Sequence, residues 1–224
     1  MNRVQKVDEQ LRVRRVLLSV SDKSGLESFV PRLTSHDDVI VYSTGGTYDR
    51  VSDILGRDAE ERLRRVSDYT GQPEMQGGLV KTLDYRIYLG LLSEPYNDAH
   101  AADRERVGAE LIDMVVVNLY PFRSVAARSG SDPEDARGNI DIGGPCMLRA
   151  AAKSYLRVAA VCDPADYESI ADELDASGGS LGSETRFRLA QKAFGHTAQY
   201  DRAIADYLSE RSYAEAIAPY EVNQ

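Results

Sequence analysis

The stretch VLLSVSDKSGLESFVPRLTSHDDVIVYSTGGT, residues 16–47, holds two short β-branched runs separated by one segment of helix length. The runs VLLSV (16–20) and VIVYS (39–43) predict strands, because such residues suit a pleated, buried surface. Each run is followed by a polar loop with glycine and then by apolar residues at helical spacing, 26–33 after SVSDKSG and 48–55 after STGGT. This βαβ rhythm predicts a parallel sheet and brings loops 21–25 and 43–47 to one end of it.

Working outward, MVVVNL (114–119) and RVAAV (157–161) predict two more strands, apolar enough throughout to be covered on both faces. Loop 118–122 then joins the other two at the carboxyl ends of the strands, where open α/β sheets bind ligands. The polar, turn-rich segment 123–139 and the small-residue segment 176–183 read as surface connections. From 184 to 210 apolar residues recur at helical spacing, which predicts one or two terminal helices packed on the sheet. Residues 1–15 read as a polar extension, and 16–224 as a single α/β domain with a C-terminal helical segment.

The chain has 224 residues and a formal net charge of −9, with 42% hydrophobic and 28% charged residues, the composition of a globular protein. No apolar run is long enough to cross a membrane, and no basic stripe points to a nucleic acid. The N-terminus lacks the apolar run of a secretory signal, so the expected compartment is the cytoplasm. Cys146 and Cys162 stand without a ligand cluster, so both are expected reduced and packed, and no metal site is expected. His36 and His100 read as solvated loop residues, and His196 as a satisfied packing residue.

An acidic protein that binds phosphate must do so locally. In STGGT, Gly45 and Gly46 lie between strand and helix, where bare backbone N–H groups hold an anion; a tight turn alone explains the same residues. Ser21 and Lys23 supply a hydroxyl and a cation on the neighbouring loop, and Ser21 or Asp22 equally suits a helix N-cap. Lys81 follows Gly77 and Gly78, and NLYPF offers Asn118 and Tyr120 before the rigid Pro121. A tyrosine beside a lysine suits proton transfer, although an isolated surface lysine is commoner. In IDIGGPCMLRAAAKSY, Gly143 and Gly144 open a helix, Asp141 stands at its start and Lys153 projects from its third turn.

Taken in order, SVSDKSG, STGGTYDRV, VSDYTGQPEMQGGLVKTL, VVNLYPF, NIDIGGPCMLRAAAKS and KAFGHTAQYDRAIADYL resemble the cyclohydrolase domain of the bifunctional purine-biosynthesis family that pairs AICAR transformylase with IMP cyclohydrolase. The resemblance implies a methylglyoxal-synthase-like three-layer α/β/α domain with a mainly parallel central sheet. It implies dehydrative ring closure of 5-formamidoimidazole-4-carboxamide ribonucleotide to IMP, with no cofactor or metal, in a homodimer. It carries catalytic roles to Lys81, Tyr120, Asp141 and Lys153. Asp141 and Lys153 are expected to move protons, and Lys81 and Tyr120 to orient and acidify the oxygen side. Ser21, Lys23, Thr44, Gly45, Gly46, Thr47 and Thr82 are expected on phosphate and ribose, and Asn118 and the Ile142 backbone on the base.

The sequence departs from that family at Leu79, where an arginine is usual, at Asp84 and Tyr85, where a His-Pro pair is usual, and at Tyr88 in place of a second histidine. Arg86 is a candidate replacement for the lost cation. The chain ends where the family's transformylase domain begins, so formyl transfer from a folate is not expected, and a separate transformylase is a candidate partner. These departures keep open the same closure on a related nucleotide. A nucleotide-binding regulatory module is the alternative of another class, and methylglyoxal synthase a more distant one.

Overall fold

The computed structural model describes residues 3–73, 75–76, 80–128, 130 and 132–222. The chain opens with strands β1 (Gln10–Arg12) and β2 (Arg15–Leu18), helix α1 (Leu26–Thr34), β3 (Ile40–Ser43), α2 (Gly45–Leu55), α3 (Ala59–Arg62), β4 (Leu63–Arg65) and α4 (Val66–Thr70). There follow α5 (Tyr85–Leu92), α6 (Asp98–Val107), β5 (Met114–Val116), α7 (Phe122–Ala126), α8 (Pro133–Gly138), α9 (Gly143–Lys153) and β6 (Ala159–Val161). The last elements are α10 (Tyr167–Ser177), β7 (Ser180–Gly182), α11 (Ser183–Ser209) and α12 (Tyr213–Ile217).

Five strands form one parallel sheet in the order β4-β3-β2-β5-β6. From β2 the chain steps outward to β3 and β4, then returns across to β5 and β6, so the winding reverses between β2 and β5. Side chains alternate across each strand and so build two apolar layers. Val16, Leu18, Val41, Met114 and Val116 face the layer under α1, α2 and α10. Leu17, Tyr42, Val115 and Ala160 face the layer under α5, α9 and α11. The predicted α/β/α architecture and its four principal strands are thus present, with β2 and β5 ending before the last residues of their apolar runs.

Three segments differ from the expectation. The polar start of the chain carries β1, which pairs antiparallel with β7 inside the supposed connection 176–183. Buried Arg186 explains the docking: its guanidinium donates to the carbonyls of Asp8 (2.7 Å), Glu9 (3.4 Å), Leu181, Tyr155 (3.2 Å) and Leu156 (3.2 Å). The supposed connection 123–139 contains the short helices α7 and α8, the latter fixed by a capping box between Asp132 and Asp135. The terminal helical segment is a single 27-residue helix, α11, within the one or two expected.

The histidines are also more enclosed than expected. His36 packs beside Gly179, with Nε2 3.5 Å from Asp175, and Nδ1 of His100 accepts from the Glu94 backbone at 3.1 Å. His196 has a buried Nε2 without a partner among the described residues, and burial lowers its pKa. Both cysteines are free. No helix among the described residues is long and apolar enough to cross a membrane.

Candidate active site

At the winding reversal, a cavity of about 460 Å³ opens over the carboxyl ends of β2, β3 and β5 and the N-termini of α2 and α9. Three loops meet there because side chains tie them to one another. Asn118, past β5, accepts the backbone N–H groups of Ser21 (2.7 Å) and Asp22 (2.8 Å) on Oδ1 and donates Nδ2 to the Asp22 carbonyl (2.8 Å). The hydroxyl of Thr47 accepts from the Val20 N–H (3.1 Å) and donates to the Val20 carbonyl (3.0 Å). Ser19 and Thr44 share a hydroxyl pair at 3.0 Å.

These ties engage two residues that the resemblance assigns to the ligand. Asn118 commits its carbonyl and one N–H to the loop, and Thr47 commits both its hydroxyl and, through the Thr44 carbonyl, its backbone N–H. Both residues line the cavity as scaffold. Neither Ser21 nor Asp22 caps α1: Gly25 holds that position with φ of 77°, and Asp22 accepts from Ser24 instead.

What the ties leave over are donors. At the start of α2 the Thr44 side chain makes no cap, and the N–H groups of Gly45 and Gly46 have no acceptor among the described residues. An uncapped helix N-terminus attracts negative charge. Lys81 crosses it closely: a Cβ on Gly45 would lie 3.2 Å from the Lys81 ammonium, and Gly45 itself sits at φ of 46°. Lys23 and Ser21 line the same cavity.

The second terminus belongs to α9, which starts at Gly143 as the sequence predicts, with Ile142 as N-cap. Buried Thr82 presses against it, since a Cβ on Gly143 would stand 2.9 Å from the Thr82 hydroxyl. Asp141 accepts the Gly144 N–H at 2.8 Å, an approach that leaves no room for a Cβ on Gly144. Burial lifts the Asp141 pKa above the ordinary carboxylate range, with hydrogen bonds from the backbone of Gly144 and Tyr120 opposing part of the rise. Tyr120 is half exposed at the cavity wall.

The structure therefore brings together Ser21, Lys23, Thr44, Gly45, Gly46, Thr47, Lys81, Thr82, Asn118, Tyr120, Asp141 and Ile142. Lys153 is the exception. It ends α9, exposed, ten residues and so about 15 Å of helix beyond Gly143, and it does not line the cavity.

Of the changed residues, Asp84, Tyr85 and Tyr88 lie outside the cavity lining. Asp84 is buried as the N-cap of α5, accepting from the Arg86 N–H (2.8 Å) and from Gln72 (3.0 Å). Arg86 donates to the carbonyls of Tyr69 (2.9 Å) and Thr70 (3.2 Å), so it replaces no cation in the cavity. Tyr85 and Tyr88 do not line the cavity either. Gly77, Gly78 and Leu79 lie outside the described residues. Sequence reading missed Ser19, although it lies within the first strand run, and the apolar liners Leu83, Ile140 and Met147.

A doubly covered parallel sheet with an uncapped glycine terminus at its winding reversal defines the class. Residues 25–146 match the family described as MGS-like domain, and the chain belongs to that family. Residues 151–224 match the AICARFT/IMPCHase bienzyme family, so the match is to the cyclohydrolase part of that bienzyme. The bifunctional purine biosynthesis protein PurH of Neisseria gonorrhoeae is 47% identical over 200 residues, 89% of this chain and 37% of that protein. PurH of Ruminiclostridium cellulolyticum is 44% identical over 198 residues, again 37% of its length. The chain thus spans little more than a third of these curated relatives. A crystal structure of ForH is 32% identical with a TM-score of 0.73, over 88% of this chain and 99% of that one.

Proposed function

We propose that the cavity binds 5-formamidoimidazole-4-carboxamide ribonucleotide and closes its second ring to IMP. The observation behind this reading is the meeting, in one cavity of nucleotide size, of an uncapped glycine terminus flanked by two lysines with a half-buried carboxylate of raised pKa. Lys23 and Lys81 match the charge of a 5′-phosphate seated on Gly45 and Gly46. The position of Lys81 assigns it to the phosphate rather than to the reacting oxygen.

In the closure, the carboxamide nitrogen bonds to the formyl carbon and loses one proton, the formamide nitrogen loses another as its double bond to that carbon forms, and the formyl oxygen departs with both as water. Asp141 is assigned to take the nitrogen proton, because a base whose pKa is raised toward neutrality holds it better than an ordinary carboxylate. Tyr120 and the Gly143 N–H are assigned to the oxygen that gains charge. Lys153 has no step within one chain's cavity. The homodimer the resemblance implies, a cytoplasmic location and a separate formyl-transferring enzyme that supplies the substrate all fit this reading. The analogue-nucleotide reading loses support from Asp84, Tyr85 and Tyr88, which lie away from the lining.

The test is to incubate the purified protein with the formamido nucleotide and follow IMP by chromatography. Product above a protein-free blank is expected, with kcat falling about 100-fold or more in Asp141→Asn. Wild-type activity needs the ionised Asp141 and is expected to fade as pH drops through its raised pKa, at higher pH than an ordinary carboxylate would give. No product above blank sinks the reading.

A further inference from the structure

We infer that Tyr200 is a positioning residue for this ring closure, its hydroxyl holding the Asp141 main chain so that the carboxylate meets the substrate. The inference rests on the function proposed above. Tyr200 lies on α11, outside the cavity lining, and is almost wholly buried. Its hydroxyl accepts the Asp141 N–H at 2.8 Å and donates to the Asn139 carbonyl at 3.1 Å. One hydroxyl therefore uses both its acceptor and its donor capacity to clip the turn immediately before α9.

The same short stretch of α11 also steadies the loop that carries Tyr120. The Tyr200 ring stands edge-on to Phe122, with centroids 6.3 Å apart, and Arg123 donates to the neighbouring Gln199 carbonyl at 3.1 Å. Tyr207, one helical stretch further on, packs edge-on to Phe122 at 5.5 Å, but among the described residues its hydroxyl makes no hydrogen bond to the Asp141 turn. Asp141 and Tyr120 belong to the segment matching the MGS-like domain, whereas Tyr200 belongs to the segment matching the bienzyme family. The C-terminal helix thus supplies the rigid reference for a base carried by the other part of the chain.

Holding matters here because the Asp141 carboxylate is aimed through its own backbone. Gly144 leaves it room and one hydrogen bond, and the turn before it has no other side-chain tie from α11. Release of the turn lets the carboxylate leave the geometry that proton transfer requires, and small misplacements of a catalytic group are costly. Phosphate binding at Gly45 and Gly46 stands apart from this turn.

The experiment compares wild type, Tyr200→Phe and Tyr207→Phe in full-length protein. Tyr200→Phe keeps the ring and loses the hydroxyl, so kcat is expected to fall about 10- to 100-fold while KM stays within about threefold. The acid limb of its pH–rate profile is expected to move downward, as the loosened turn admits water to Asp141 and relieves the burial that raises its pKa. Tyr207→Phe should match wild type. Amide hydrogen exchange gives a readout without turnover: the Asp141 N–H should be protected in wild type and exposed in Tyr200→Phe. If wild type makes no IMP, the proposed function falls and this inference with it. If wild type is active and Tyr200→Phe keeps its kcat and pH limb, or the wild-type Asp141 amide exchanges freely, the inference alone is overturned. Should Tyr200→Phe fail to fold, the wild-type exchange measurement decides.

Discussion

The two ends of the sheet treat their cations in opposite ways. At the amino end, Arg157 lies just before β6 and is surrounded by carbonyls, donating to Ser93 (3.1 Å), Ile112 (3.0 Å), Gly90 (2.5 Å) and Leu91 (3.0 Å), with Asp113 at 3.8 Å. At the carboxyl end, Lys81 faces a cavity in which the nearest helix terminus presents N–H donors, and Lys23, donating to the Ser21 carbonyl at 3.5 Å, lines the same cavity. A cation among carbonyl oxygens is already neutralised and serves the fold. A cation among donors waits for an anion from outside, which is why charge alone does not distinguish scaffold from site while the sign of its surroundings does.

The largest effect expected from this contrast is at Arg157. Burial lowers its pKa to about 10, still leaving it charged at neutral pH, so its removal strands several carbonyls and Asp113 in the interior. Arg157→Met is expected to cost about 3–5 kcal/mol in urea unfolding. The fraction that remains folded should bind IMP with a Kd within about twofold of wild type. Loss of nucleotide affinity in folded Arg157→Met would erase the division between the two ends.

A smaller effect is expected at the glycine terminus. Gly45 holds a left-handed φ that L side chains resist by about 1–2 kcal/mol, and an added Cβ would crowd the Lys81 ammonium. Gly45→Ala is therefore expected to weaken IMP binding about tenfold by calorimetry and to lower stability by about 1 kcal/mol. Gly46 has ordinary dihedrals and open space around its Cα, so Gly46→Ala should stay within about twofold. Equal losses at both positions would remove the special place given to the Gly45 N–H and Lys81.

The contrast also explains which parts were legible in the sequence. Strands β2, β3, β5 and β6 are apolar on both faces and so stood out, whereas β4 buries only Leu63 and β1 and β7 are short and polar. Glycine pairs at strand ends marked both helix termini, and Lys81, Tyr120 and Asp141 were found with them. The parts that stayed hidden depend on partners distant in sequence: Asn118 bonds across 97 residues, Thr47 across 27 and the Tyr200 hydroxyl across 59. Lys153 stands apart from the cavity for the reverse reason. Twelve residues from Asp141 is near in sequence, but most of that interval is straight helix, which carries the side chain away from the terminus that holds the site.

The weakest expected effect lies among the exposed ion pairs that fasten β1 near the amino end. Asp38 accepts from Arg12, at 2.9 to 3.1 Å, and from Arg14 at 2.9 Å, and these hydrogen bonds, those of Arg12 foremost, hold its pKa down to about 2. A carboxylate whose folded pKa is depressed contributes stability that is complete above its unfolded value and fades as pH falls toward the folded one. Both partners are well exposed, so solvent screening limits the contribution to about 1 kcal/mol or less. Asp38→Ala should therefore lower the urea midpoint slightly at pH 7, and the gap to wild type should close as pH approaches 2. Nucleotide affinity should not change at either pH, because β1 and β7 lie outside the five-stranded sheet whose carboxyl ends form the cavity. A gap that persists at pH 2 would mean that Asp38 acts through packing rather than charge, and would make the amino end less electrostatic than its arginines suggest.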